Sequence, residues 1–180
     1  MAGNPGKGGV AMPEYWDIYD KDRRKTGRIQ ERGKPPASPE DYHLVVEIWL
    51  RNSKGEVLLT RRHPAKHYGG LWECTGGSVL AGEESLTAAI REVKEEIGVD
   101  LTCGNPGVLL ASLSVRRDAP GYSAHYDVYL YERDIPPEAL VLQPEEVVDA
   151  KWADRAEYER MEAAGELAAV KAAPFLPEAD

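Results

Sequence analysis

The stretch that decides the fold is GSVLAGEESLTAAIREVKEEIGV, which occupies residues 77–99. Near its end, Glu92, Glu95 and Glu96 stand at positions i, i+3 and i+4, so on a helix their carboxylates fall within one arc of about 100°. Like charges at this spacing repel one another, and hard divalent cations such as Mg²⁺ and Mn²⁺ prefer oxygen ligands of this kind. The stretch therefore predicts a helix with a metal site on one face.

The remaining faces of this stretch also favour a helix. An apolar stripe on a separate arc predicts the side that packs on the core. Its members are Leu86, Ala89, Ile90, Val93 and Ile97. Gly98 follows the last apolar position, where a left-handed C-terminal cap is usual. Arg91 lies between the two faces, so it can pair with Glu83 or with the carboxylate cluster and offset part of the repulsion. We predict a helix over about residues 84–97.

These positions resemble the signature of the Nudix hydrolases, a family that includes the MutT-like proteins. The signature is a glycine, five residues, a glutamate, seven residues, Arg-Glu, an aliphatic residue, any residue, Glu-Glu, any residue, a glycine and an aliphatic residue. This chain matches every defined position: Gly77, Glu83, Arg91, Glu92, Val93, Glu95, Glu96, Gly98 and Val99. We refer to residues 77–99 as the box.

The resemblance implies an α/β fold, namely a Nudix α/β/α sandwich in which a mixed β-sheet lies between helices. The residues alone support only an α+β or α/β chain with two or more helices. Strand patterns at residues 14–20 and 28–32 flank a charged turn, and they predict an N-terminal β-hairpin. This N-terminal pattern is similar to that of the Nudix branch close to the isopentenyl diphosphate isomerases.

Further strand and helix signals follow along the chain. Apolar and β-branched runs predict strands at residues 42–51, 56–61, 72–75, 108–116, 125–132 and 147–152. Asp154 can cap a last helix that runs to about residue 164, with Gly165 at its C-terminal side. His43 and Glu47 alternate with apolar neighbours in the first of these strands, so each faces either a cleft or water.

Length, charge and cysteine content limit the classes of protein that the chain can represent. A chain of 180 residues predicts a single domain at 13–180, after a Gly-rich tail at 1–12 that we expect to be disordered. The net charge of −9 argues against a nucleic-acid or membrane-surface binder. Two cysteines cannot form a disulfide framework, and no apolar segment suits a secretion signal or a membrane span. We therefore expect a cytoplasmic protein.

The resemblance implies a metal-dependent pyrophosphohydrolase, a hydrolase acting on phosphorus-containing anhydrides, with Mg²⁺ or Mn²⁺ as its cofactor. Its substrate would be a small molecule in which a nucleoside diphosphate is linked to another group. The implied metal ligands are the carboxylates of Glu92, Glu95 and Glu96 and the backbone carbonyl of Gly76. Arg91 and Glu83 would orient these ligands. The general base stays open between Glu92 and a glutamate before the last strand, Glu145 or Glu146, and the number of metal ions is also open.

A basic cluster directly before the box supplies candidates for substrate binding. The cluster members that either contact substrate phosphates or lie in an exposed loop are Arg61, Arg62 and Lys66. The aromatic residues that either stack a nucleobase or serve as ordinary packing are Trp72, Trp49, Tyr122 and Tyr126. The sequence leaves the substrate and the oligomeric state open, and a homodimer is one alternative because many Nudix proteins form dimers.

Two other classes of function stay open beside hydrolysis. The isopentenyl diphosphate isomerases use a catalytic cysteine directly before the first box glycine, where this chain has Gly76, with Cys74 two residues earlier. A non-catalytic Nudix module that senses a ligand would usually have lost box glutamates, and this chain keeps them. The intact box therefore favours hydrolysis.

Overall fold

Strands and two helices make up the regular structure of the described part of the chain. The structure is a computed structural model that describes residues 13–117, 123–169, 171 and 175. In chain order its elements are β1 (Tyr15–Tyr19), β2 (Lys25–Glu31), β3 (Tyr42–Arg51), β4 (Val57–Arg62), β5 (Trp72–Glu73), β6 (Thr75–Ser78), α1 (Ser85–Ile97), β7 (Val108–Val115), β8 (Ser123–Glu132), a 3-10 turn (Pro137–Ala139), β9 (Val147–Ala153) and α2 (Arg155–Ala163). The predicted tail at 1–12 lies outside the described residues.

The strands form one mixed sheet around the long strand β3. β8 runs parallel to β3 along its whole length, from the pair Tyr42–Ser123 to the pair Arg51–Glu132. β1 and β6 pair with β3 in the antiparallel direction, and β4 has β5 and β9 as antiparallel neighbours. β7 extends the sheet beyond β8.

The two helices lie on opposite faces of this sheet. Because side chains alternate along a strand, β3 directs Val46 and Ile48 to the core under α1 and Trp49 to the core under α2. Val93 of α1 and Met161 of α2 are both fully buried in these two cores. The arrangement confirms the predicted α/β fold, with a mixed sheet between helices.

The N-terminal hairpin is confirmed, and β1 pairs antiparallel with β2. At the open end of the hairpin, the backbone N–H of Arg32 donates to the carbonyl of Glu14 at 2.8 Å. The backbone N–H of Ala81 donates to the carbonyl of Tyr15 at 2.7 Å. The hairpin is therefore fastened to the loop that leads into α1.

Both helices end or begin as their capping residues predict. Gly98 adopts a left-handed φ of 74°, and its N–H donates to the carbonyl of Lys94 at 3.1 Å. At the start of α2, the Asp154 side chain accepts a hydrogen bond from the N–H of Glu157 at 2.8 Å. Among the described residues, no helix has the length and apolar character needed to cross a membrane.

The predicted strand at 72–75 is wrong in its extent. It is divided into β5 and β6, and β6 continues through Ser78 as a partner of β3. A glycine permits this pairing, because a Cβ added to Gly76 would collide with the carbonyl oxygen of Val46.

The prediction that Leu86 faces the core is also wrong. Leu86 is 47% exposed, whereas Ala88 and Ala89 are fully buried. The helix approaches the sheet along these two alanines, because small side chains allow close packing, and this orientation turns Leu86 toward solvent.

Candidate active site

A cavity of about 320 Å³ lies over the carboxylate face of α1. Its walls come from β3, β6 and α1, from the ends of β4 and β5, from the end of the N-terminal hairpin and from the segment before β9. Among the described residues, its charged lining consists of seven glutamates and three arginines: Glu14, Glu47, Glu73, Glu92, Glu95, Glu96, Glu146, Arg32, Arg62 and Arg91. Because negative charge dominates, an anionic ligand needs additional cations to bind here.

Glu96 is the most deeply buried of the box carboxylates, with 8% of its surface exposed. Among the described residues, its carboxylate accepts one hydrogen bond, from the backbone N–H of Gly76 at 3.4 Å. Burial raises the pKa of Glu96 well above its usual value, and the nearby charge of Glu92 raises it further. A buried carboxylate with so little compensation from the protein is suited to a bound cation.

Arg91 binds the other box carboxylates. Its guanidinium donates to both oxygens of Glu83, each at 2.9 Å, to Glu92 at 2.8 Å and to Glu95 at 3.2 Å. Burial alone would raise the pKa of Glu83, but the hydrogen bonds from Arg91 lower it. For Glu92, burial outweighs the charge of Arg91 and raises the pKa. This geometry is the one expected of a residue that orients metal ligands.

The donor atoms of the box are of the chemical type that a hard divalent cation prefers. The predicted ligands offer only oxygen: the carboxylates of Glu92, Glu95 and Glu96 and the carbonyl of Gly76. In the part of the chain that the structure describes, no three His, Cys, Asp or Glu side chains are grouped closely enough to hold a metal ion. Instead, Arg91 supplies the positive charge beside Glu92. A Cβ added to Gly77 would lie 2.6 Å from Oε2 of Glu92, so a side chain at this position would displace the carboxylate from its place beside β6.

Of the predicted substrate-binding residues, Arg62 lines the cavity. Its guanidinium binds the carboxylate of Glu73, and its Nε donates to the carbonyl of His67 at 2.9 Å. Lys66 forms an ion pair with Glu146, which also lines the cavity. Both basic side chains are therefore held at the edge of the cavity by acidic partners.

Arg61 and Trp72 lie next to each other outside the cavity lining. The Nε of Arg61 donates to the carbonyl of Gly70 at 3.0 Å, and its guanidinium is 5.9 Å from the centre of the Trp72 ring. The Nζ of Lys151 lies 4.8 Å from the same ring. The structure does not bring these two candidates to the box carboxylates.

The other aromatic candidates occupy different environments. Trp49 is fully buried against Tyr158, with 6.0 Å between ring centres, so it cannot stack a nucleobase. Tyr126 is half-buried, with the Nζ of Lys171 5.0 Å from its ring centre. Tyr122 lies outside the described residues.

The glutamates outside the box that are candidates for the general base differ in their position relative to the cavity. Glu146 lines the cavity, whereas Glu145 is exposed and is not part of the lining. Glu47 also faces the cavity, where burial raises its pKa. Its carboxylate accepts a hydrogen bond of 2.9 Å from the backbone N–H of Lys171. His43 is not part of the cavity lining, and its ring stacks on Trp16, with ring centres 4.3 Å apart.

Several residues that line the cavity are not predicted from the sequence to do so: Glu14, Arg32, Glu73 and Gln143. Glu14 and Arg32 stand at the open end of the hairpin, and no local pattern predicts that this end reaches the box. Glu73 meets Arg62 only because β5 pairs with β4. The charge of Arg32 reaches the Glu92 carboxylate, where it acts to lower the pKa that burial raises.

Comparisons with known proteins identify the family of the chain. The family model described as the NUDIX domain matches residues 41–176. An uncharacterised Nudix hydrolase of Listeria monocytogenes is 33% identical over 161 residues, which cover 86% of this chain and 88% of the relative. An isopentenyl-diphosphate Delta-isomerase of Escherichia coli is 29% identical over 139 residues, which cover 71% of this chain and 75% of the relative. A crystal structure of a Deinococcus radiodurans protein matches with a TM-score of 0.70 and 26% identity, over 86% of this chain and 92% of that one.

Proposed function

The chain belongs to the Nudix family, and on that premise we propose that it is a metal-dependent pyrophosphohydrolase. The family model and the Nudix hydrolase relative together support a hydrolase that acts on phosphorus-containing anhydrides. We infer further that water attacks phosphorus in the diphosphate linkage of a nucleoside diphosphate derivative, with Mg²⁺ or Mn²⁺ as the cofactor. The observation that carries this proposal is the buried Glu96 carboxylate in an acidic cavity, with one long hydrogen bond from the described residues.

The charge of the cavity explains why a cation is required. Seven glutamates line it, and the whole chain carries a net charge of −9, so a diphosphate alone would be repelled. A bound divalent cation would offset the charge of the phosphate oxygens and lower the pKa of a water molecule. We assign its binding to four groups: the carboxylates of Glu92, Glu95 and Glu96 and the carbonyl of Gly76.

The chain's own side chains would orient these groups and accept the proton of the attacking water. Arg91 holds Glu83 and Glu92 through hydrogen bonds of 2.8–2.9 Å. Glu92 and Glu146 both line the cavity, so either carboxylate can accept the proton there. Glu145 is exposed outside the lining, which makes it the weaker candidate.

Isomerisation of a prenyl diphosphate is the second candidate function, because an isomerase is among the relatives of this chain. A cysteine at the position of Gly76 would serve that reaction, and this chain has none there. Cys74 is buried in the core under α2, where burial raises the pKa of its thiol well above the usual value. The geometry therefore supports hydrolysis over isomerisation.

We also propose a small-molecule substrate and a cytoplasmic location. Both Cys74 and Cys103 are free thiols, which is compatible with a reducing compartment. A homodimer stays an expectation, which light scattering of the purified protein tests.

The test of the proposed function is a hydrolysis screen. Candidates are nucleoside di- and triphosphates, oxidised nucleotides, nucleotide sugars, dinucleoside cofactors and prenyl diphosphates, each with Mg²⁺, with Mn²⁺ and with a chelator. Glu96→Gln and Glu95→Gln are expected to lower turnover at least about 100-fold and to weaken metal binding in calorimetry. Glu159→Gln, which changes an exposed glutamate of α2, is the matched control and should keep wild-type turnover.

Two results would reject the proposed function. One is a folded wild-type protein that binds metal but hydrolyses no member of the screen. The other is turnover that persists in the chelator or in both box variants.

A further inference from the structure

The N-terminal hairpin supplies a positive charge to the cavity from outside the segment that matches the family model. The hairpin precedes residues 41–176, yet Arg32 at its end lines the cavity. The other two arginines of the lining are already committed, Arg91 to the box carboxylates and Arg62 to Glu73. Their side chains are also less exposed than that of Arg32, which is 55% exposed.

The ion pair of Arg32 is one that a ligand can replace. Its Nη1 lies 2.6 Å from Oε2 of Glu14, and the Glu14 side chain is itself 46% exposed. Exposed pairs of this kind contribute little stability, because water screens both charges. The guanidinium can therefore exchange this partner for a more strongly charged one at small cost.

The backbone that carries Arg32 is, by contrast, well anchored. Its N–H donates to the Glu14 carbonyl at 2.8 Å, and the hairpin is bonded to the loop before α1 by the Ala81–Tyr15 hydrogen bond of 2.7 Å. A fixed backbone with an exposed guanidinium directed to the cavity reduces the entropy lost when a ligand is bound.

We propose that Arg32 is a substrate-binding residue that contacts a phosphate group of the substrate. This inference rests on the proposed function, since it assumes that the cavity receives a diphosphate. A planar guanidinium donates two parallel hydrogen bonds to phosphate oxygens, which a lysine cannot reproduce fully. The hairpin thereby adds a determinant of substrate affinity to the box.

A purely structural role of Arg32 makes a different prediction. If the pair with Glu14 only fastens the hairpin, loss of either partner should have the same effect. If Arg32 binds phosphate, loss of Glu14 should release the guanidinium for the ligand, whereas loss of Arg32 should weaken binding.

The experiment measures the affinity for inorganic pyrophosphate by calorimetry in the presence of Mg²⁺, on the full chain. Arg32→Ala is expected to weaken binding about 10- to 100-fold, as loss of a charge-assisted hydrogen bond implies. Arg32→Lys should recover part of the loss, and Glu14→Gln should bind as tightly as the wild type or more tightly. Arg24→Ala, at the exposed turn of the same hairpin, is the control and should bind like the wild type.

Steady-state kinetics on the substrate found in the screen give a second measurement. Arg32→Ala should raise KM about as much as it weakens pyrophosphate binding, with kcat changed less than about threefold. Unchanged pyrophosphate affinity in Arg32→Ala would overturn the inference, as would equal losses in Arg32→Ala and Glu14→Gln or a wild type that does not bind pyrophosphate. Arg32-dependent binding without any hydrolysis would reject only the proposed function.

Discussion

Replacing Gly77 with alanine should reduce activity sharply while leaving the fold intact. The added Cβ would lie 2.6 Å from Oε2 of Glu92 and closer still to the rest of that carboxylate. Unstrained carbon and oxygen atoms stay about 3.5 Å apart, so the Glu92 carboxylate must retreat by about 1 Å. A displacement of this size in a group with the metal-binding role that we propose for Glu92 is expected to lower turnover about 100-fold.

The cost to stability should be small, because only the end of a side chain has to move. Glu92 can rotate away from β6, and an alanine in a strand loses about 0.5–1 kcal/mol less backbone entropy than a glycine. We expect the free energy of unfolding to change by less than about 1 kcal/mol. Gly76→Ala is the matched comparison. Its Cβ would collide with the backbone carbonyl of Val46 in β3, which cannot rotate away as a side chain can. That variant should lose about 1–3 kcal/mol of stability.

The assay combines kcat/KM on the substrate found in the screen with urea denaturation of wild type, Gly77→Ala and Gly76→Ala. Activity of Gly77→Ala within about threefold of wild type would refute a displacement of the Glu92 carboxylate. Destabilisation of Gly77→Ala as large as that of Gly76→Ala would also refute it, because the clash would then involve backbone.

Three further predictions test the site and the core. Glu146 lines the cavity, whereas Glu145 is exposed. If Glu146 accepts the proton of the attacking water, Glu146→Gln should lower kcat at least about tenfold and Glu145→Gln less than about twofold. Equal losses in steady-state kinetics would contradict the choice of Glu146 over Glu145. Burial lowers the pKa of His43 from 6.5 to about 4, so between these values the unfolded state binds the proton and stability falls as the pH drops. His43→Phe can keep the stacking on Trp16 and should remove up to about 3 kcal/mol of that loss. Urea denaturation of both proteins at pH 7 and pH 4 measures the difference, and an equal loss of stability in wild type and variant would argue against a buried neutral histidine. Asp154→Ala should cost about 1 kcal/mol in urea denaturation, because it removes the side-chain cap of α2, whereas an unchanged midpoint would show that the cap contributes nothing.

Local features of this protein are predictable from sequence because their causes lie within a few residues. The spacing of Glu92, Glu95 and Glu96, the apolar stripe and the cap at Gly98 together predict α1 to within a residue of its observed start. The N-terminal hairpin and the cap at Asp154 are local in the same sense. The intact signature then indicates the family, which the comparisons confirm.

Features that depend on packing cannot be predicted in this way. Leu86 belongs to the apolar stripe by periodicity, yet it is exposed because the close approach of Ala88 and Ala89 sets the rotation of α1 on the sheet. The full extent of β6 is not predicted, because glycines such as Gly76 and Gly77 do not favour a strand. They form one only through their pairing with β3.

The sequence by itself therefore determined the helix that carries the box carboxylates and the oxygen chemistry that this helix presents. Only the tertiary structure decided which groups surround that helix face: Arg32 from the hairpin, Glu47 from β3 and Glu146 from the segment before β9. The physical reason is that helix periodicity and capping act over one or two turns. The cavity, in contrast, is assembled by the strand pairings β3–β6, β4–β5 and β4–β9, which join separate segments of the chain.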